Sequence, residues 1–139
     1  MSTAKNHHSI ESNDAPVHLE FRKLDSVKLS NAHGVTAVAC DIEAEGGNQE
    51  DGLDVRRFSR HSFFTACNIG SGGKYAISIK GGSHHITISD CIITGDRGWE
   101  GVDVDIGNFS DYNYANTHTI TLENVIRRDL RPVTVRIGH

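Results

Sequence analysis

Two prolines in 139 residues leave nearly every backbone amide able to donate to a sheet ladder. Three cysteines, Cys40, Cys67 and Cys91, make an odd count without a CxxC pair, which argues against both a disulfide framework and a zinc site built on thiolates. There is no excess of basic charge: Lys and Arg number 14 against 18 Asp and Glu, for a formal charge of −4. That argues against a nucleic-acid binder, which usually carries a basic surface. No apolar run reaches the length of a membrane span, so neither nucleic acid nor membrane is an expected partner. The opening stretch MSTAKNHHSIESNDAP lacks the apolar core of a secretory signal. It reads as a polar, disordered tail over 1–15, followed by a single domain over 16–139, with a cytoplasmic or virion-associated location expected. GSGG at Gly70–Gly73 is not a phosphate loop, because Lys74 is followed by tyrosine instead of serine or threonine. No motif surrounds any serine as a catalytic triad would need.

Helical periodicity is also missing between Val17 and Ile137. What is present is alternation, and it recurs. HGVTAVACDI from His33, RHSFFTACNI from Arg60, HHITISDCII from His84 and HTITLENVIR from His118 align on Cys40, Cys67, Cys91 and Val125. Three residues earlier stand Ala37, Phe64, Ile88 and Leu122. Two residues later stand Ile42, Ile69 and Ile93, and then Arg127, which breaks the column. A second set of short strands carries Val27 and Leu29, Leu53 and Val55, Ile77 and Ile79, Val102, Val104 and Ile106, and Val133, Val135 and Ile137.

Two strand segments per repeat, with no helix between them, hide their apolar side by coiling. Each strand then pairs in parallel with its equivalent in the next coil, and such crossovers prefer the right hand. The expected fold is therefore all-β, a right-handed parallel β-helix (solenoid) of four to five short coils, with the cysteines as an interior stack of small apolar residues. Val17–Leu24 is expected to cap it or to form a partial first coil. The last residues, VRIGH, follow directly on a strand, so a homo-oligomer or a partner capping the open C-terminal coil is expected.

The stretches EDGLDVRRFSRHSFFTAC and ISIKGGSHHITISDC resemble the pectate-lyase-like β-helix superfamily over roughly Val27 to Ile137. The resemblance implies binding, and in the family's lyases β-elimination, of an acidic polysaccharide. It implies calcium held by carboxylates on an outer sheet, and a lysine or arginine that removes a proton. Asp51 and Asp54 match the family's DGL-x-D carboxylates, although the segment here is DGLD, one residue shorter; Glu50 has the family's separation from Asp54. Glu50, Asp51 and Asp54 are thus the candidate metal ligands, and Lys80, Arg56 and Arg136 the candidate catalytic cations.

The alternation predicts two outward files on the second strand set. One is Lys28, Asp54, Ser78, Asp103 and Thr134, and the other is Ser30, Arg56, Lys80, Asp105 and Arg136. Asp103 and Asp105, with Trp99, Tyr112 and Tyr114 in the adjoining loops, are the candidate substrate-binding residues, because aromatic rings with polar tips make platforms for sugars. The same charges also suit a salt-bridge ladder that only steadies the sheet. His33, His84 and His118 share one column and His61 and His85 the next; stacked imidazoles suit a transition metal, and shared repeats also stack like residues for no reason but the repeat. Three readings stay open: a polysaccharide-binding protein, a structural or attachment module of phage-tail or fibre type, and a calcium-dependent lyase or epimerase.

Overall fold

In the computed structural model, residues 7–11, 16–44, 51–70, 73–107 and 116–138 are described, and they form an all-β protein built from parallel sheets. The chain repeats one path. The first pass is β1 (His7–Glu11), β2 (Val17–Glu20) and β3 (Lys23–Leu24). The second is β4 (Ser26–Ser30), β5 (Val35–Val38) and β6 (Asp41–Glu43), and the third is β7 (Leu53–Arg56), β8 (Arg60–Thr65) and β9 (Asn68–Gly70). In the fourth, β10 (Ile77–Ile79) leads into β11 (His84–Thr94), a single strand that does the work of two. The fifth is β12 (Val104–Ile106) and β13 (His118–Arg127), and β14 (Val135–Ile137) begins the path again. Among the described residues no helix is long and apolar enough to cross a membrane.

The first strands of successive passes form one six-stranded sheet in the order β1-β4-β7-β10-β12-β14. The remaining strands form an eight-stranded sheet that bends. Its bend lies within β11, whose first half pairs with β8 and whose second half pairs with β9. The bend has a backbone cause. Phe21, Ala39, Ala66, Asp90 and Asn124 stand in equivalent positions, each with φ between 52 and 56°. A left-handed residue breaks the pleat and turns the chain, at a cost of roughly 1–2 kcal/mol per non-glycine residue that the surrounding ladder must offset.

Register places like side chains over like. Leu19, Ala37, Phe64, Ile88 and Leu122 form one file. Ile10, Leu29, Val55, Ile79, Ile106 and Ile137 form another, on the six-stranded sheet. The interior members of these files are almost wholly buried, and each contributes roughly 1.5–3 kcal/mol on leaving water. At the corner after the first sheet, the stacked residues Ser59 and Ser83 are fully buried, and their hydroxyls donate to the carbonyls of Arg56 and Lys80, both at 2.8 Å. This satisfies backbone groups that the turn removes from the ladder.

Two details depart from the sequence reading. Residues 1–15 were expected to be a tail throughout, yet His7–Glu11 pairs in parallel with Ser26–Ser30, because Ile10 lies over Leu29 and is buried. Arg127, the residue that breaks the apolar column, still lies inside, opposite Ile93, at 3% exposure. Its guanidinium is neutralised there by Asp103 and Asp129 and donates to the carbonyl of Gly95.

Cys40, Cys67 and Cys91 are buried and free. Their thiols donate to the carbonyls of Val38, Thr65 and Ser89 at 3.6, 3.3 and 3.2 Å. Burial pushes the Cys40 thiol above its ordinary value, which removes thiolate character. Native protein should therefore leave all three thiols unreacted with an aromatic disulfide reagent over minutes, and release three equivalents in denaturant. Rapid reaction of any one in the native state would contradict the interior stack.

Candidate functional site

The outer face of the six-stranded sheet carries a file of Lys28, Asp54, Ser78, Asp105 and Arg136. Asp105, and not Asp103, is the member from β12. Val104 pairs with Ile77, so β12 sits two residues further along than expected. A shift of two preserves which side chains face inward, so alternation alone is blind to it.

Asp103 is accordingly withdrawn from the candidate binding surface. It is 1% exposed and fully engaged. Arg127 meets one of its carboxylate oxygens at 2.5 Å, and Arg97 and the Thr134 amide both donate to the other at 2.9 Å. It holds the last repeats together.

Two adjoining clefts lie along this face. One, of about 210 Å³, is lined by Ser26, Lys28, Asp51, Asp54, Arg56, Lys74 and Lys80. The other, of about 270 Å³, shares Arg56, Lys74 and Lys80 and adds Tyr75, Ser78, Trp99 and Asp105. Together they make a groove with a cationic floor and an aromatic end. Lys80 and Arg56 lie 3.3 and 3.7 Å from Asp54, which holds both in place. Arg136 is clamped: it donates to Asp105 and Glu100, both at 2.8 Å, and to the Tyr75 hydroxyl at 2.7 Å. Asp105 first, and Glu100 second, push its pKa up, so it acts as a fixed cation and not as a base.

Trp99 reaches the groove through a close backbone approach. A Cβ on Gly98 would fall 1.5 Å from the Lys74 carbonyl oxygen, so only glycine lets the Trp99 amide donate to that oxygen at 2.8 Å. The indole then lies 6.1 Å from the Tyr75 ring, and the Lys74 ammonium sits 5.2 Å from its centre. Lys28, Lys74 and Tyr75 were not among the sequence candidates. The alternation already set Lys28 outward; Lys74 and Tyr75 precede their strand, where period two carries no information. Tyr112, Tyr114 and Glu50 lie outside the described residues.

Asp51 is 6% exposed and accepts the Tyr75 amide at 3.1 Å. Burial first, then the neighbouring Asp54, raise its pKa to about 6 against the partial pull of Lys80 and Lys74. Of the three candidate calcium ligands, the two that are described stand in surroundings that do not favour a cation. Asp51 and Asp54 face Lys28, Arg56, Lys74 and Lys80 in the same cleft. A divalent cation would have to displace Lys80 from Asp54 and sit among the other cations, whereas calcium sites are rich in uncommitted oxygens. The same lining suits an anion.

Comparison of the chain with protein-family models, with curated proteins and with solved structures finds no match.

Two consequences concern stability. The pKa of Asp51 is raised from 3.8 to about 6, so its contribution is intact below pH 4 and is lost as pH rises through 6. Asp51→Asn should therefore be more stable than the parent at pH 8, by about 3 kcal/mol at most, with the gap closing by pH 4 in urea melts. A gap that widens on acidification would refute the assignment. Asp103→Ala leaves the buried Arg127 with Asp129 as its remaining carboxylate partner, at 3.0 Å, and takes the acceptor from Arg97 and from the Thr134 amide, so it should cost about 1.5–3 kcal/mol. A loss under about 1 kcal/mol would mean that the pair is not buried as described.

Proposed function

We propose that the chain is a right-handed parallel β-helix that binds a carboxylated polysaccharide in the groove on its six-stranded sheet. The in-register files and the parallel pairing of every repeat support the solenoid, and the strong preference of parallel crossovers supports the hand. The observation that carries the binding reading is the groove itself: Lys28, Arg56, Lys74 and Lys80 line one end, and Trp99 and Tyr75 the other. Strands cross the groove at a spacing of about 4.8 Å, so a linear, repeating ligand meets equivalent positions in succession. In this reading Lys80 and Arg56 pair with the sugar carboxylates, Trp99 stacks on a ring face, and Asp54 and Asp105 hold the cations in position. No catalytic step is assigned to Lys80, Arg56 or Arg136.

A second reading, a self-assembling structural or attachment module, is favoured by a separate observation. Ile126, Val135 and Ile137 on the last strands are 45, 40 and 75% exposed, on a face where the stacked files would otherwise continue. A second copy laid there would extend both sheets.

Uronate oligomers from pectate and alginate, titrated calorimetrically against the chain, test the first reading. Lys80→Ala and Trp99→Ala should each weaken binding about tenfold or more, equivalent to about 1.4 kcal/mol, in protein that still melts cooperatively. Failure of the parent to bind any carboxylated glycan, with a fixed oligomer on sizing, would replace this reading by the second. Absorbance from unsaturated uronate would turn the binder into a lyase.

A further inference from the structure

The histidines of the corner before the second strand were left unused by the groove, and they gather on a different surface. His33, Arg60, His84 and His118 stand in one file. The next position holds His61, His85 and Thr119, each left-handed, with φ of 52, 53 and 56°. In a regular strand His84 and His85 would point to opposite faces. The left-handed residue cancels that alternation, and both rings remain outside the core. Their Nδ1 atoms lie 2.7 Å apart. His61, from β8, stacks on His85 at 4.8 Å between centroids and meets His84 edge-on at 5.5 Å. His118 stacks flat on His84 at 5.0 Å, and Phe58 closes the other side at 5.2 Å.

We propose that His61, His84 and His85 form a site for a divalent transition-metal ion of the zinc type, which clips β8 to β11. One ring nitrogen from each lies within 4.8 Å of the others. Two imidazoles on a tetrahedral zinc, with Zn–N of about 2.0–2.1 Å, place their nitrogens roughly 3.4 Å apart. Small side-chain rotations close that gap, since His61 and His85 are exposed and free to adjust. Three neutral nitrogen donors suit zinc, nickel or copper and not calcium, and solvent access supplies a fourth ligand. Arg60, the cation in the file, is held by its own partners: it donates to Asn31 and to the Phe58 carbonyl, both at 2.9 Å. Nothing in this site depends on what the groove binds.

The test is titration of the full chain with zinc at pH 7.5, followed by calorimetry and by melting, and with cobalt, whose visible bands report tetrahedral nitrogen coordination. One equivalent should bind, melting should rise with zinc and fall back with chelator, and both effects should vanish in the triple variant His61→Asn, His84→Gln, His85→Asn. Asparagine is chosen because it tolerates the left-handed backbone at His61 and His85. His18→Ala, and His7→Ala with His8→Ala, should retain the site. Parent-like zinc affinity in the triple variant, or no saturable binding by the parent, overturns the proposal. Should the triple variant unfold, substoichiometric copper on the parent decides: imidazole signals of His61, His84, His85 and the stacked His118 broaden together if the site is there, whereas broadening centred on other histidines overturns it.

Discussion

Parallel pairing in register between successive repeats is the constraint from which the rest follows. Each strand hydrogen-bonds to its equivalent above and below, so whatever one repeat does at a position the next must accommodate a strand spacing away. Inside, this demands files of similar apolar side chains, and the Leu29–Val55–Ile79–Ile106 file meets it. At the corners it demands the same backbone state, and Ala39, Ala66, Asp90 and Asn124 all adopt the left-handed region although none is glycine. A single repeat cannot stabilise such a conformation; a column of them, each bonded to the next, can. Arg127 shows how the rule bends. It occupies an isoleucine position on the fifth repeat, and the interior accepts it because Asp103, from the neighbouring segment, and Asp129, two residues on, neutralise it.

The same stacking builds the surfaces. On the six-stranded sheet, outward positions from four repeats converge on one groove, and ion pairs between neighbours fix long side chains that would otherwise wander. That order has a thermodynamic cost. Asp51 is buried beside Asp54 and holds its proton up to about pH 6. At the opposite corner, stacking gathers imidazoles into a cluster with an entirely different ligand preference. The two surfaces draw on separate files and separate chemistry.

Much of this was legible in the chain. Alternation at Cys40, Cys67 and Cys91, and the recurrence of apolar residues around them, carried strand, parallel pairing and the identity of the core, because burial in a sheet requires period two and stacking requires its repetition. Lys80, Arg56, Asp54 and Asp105 were read as outward for the same reason. Where the reading failed, the signal was absent from local pattern. The first strand lies in a polar stretch and is held by Ile10 over Leu29, a contact between distant segments. The two-residue offset of β12 leaves the alternation unchanged, so only pairing with Ile77 and Ile79 could choose between Asp103 and Asp105.

The amino-acid order by itself determined that the chain is strands and corners, which residues form the interior files and which types face out, since these depend on the periodicity of one segment at a time. Tertiary structure alone decided which outward residues meet. It put Asp103 inside with Arg127, brought Lys74 and Tyr75 to Trp99 through the contact at Gly98, and turned His84 and His85 to the same side. Those outcomes depend on register and on backbone handedness at corners, which are set by partners many residues away and leave no trace in local spacing.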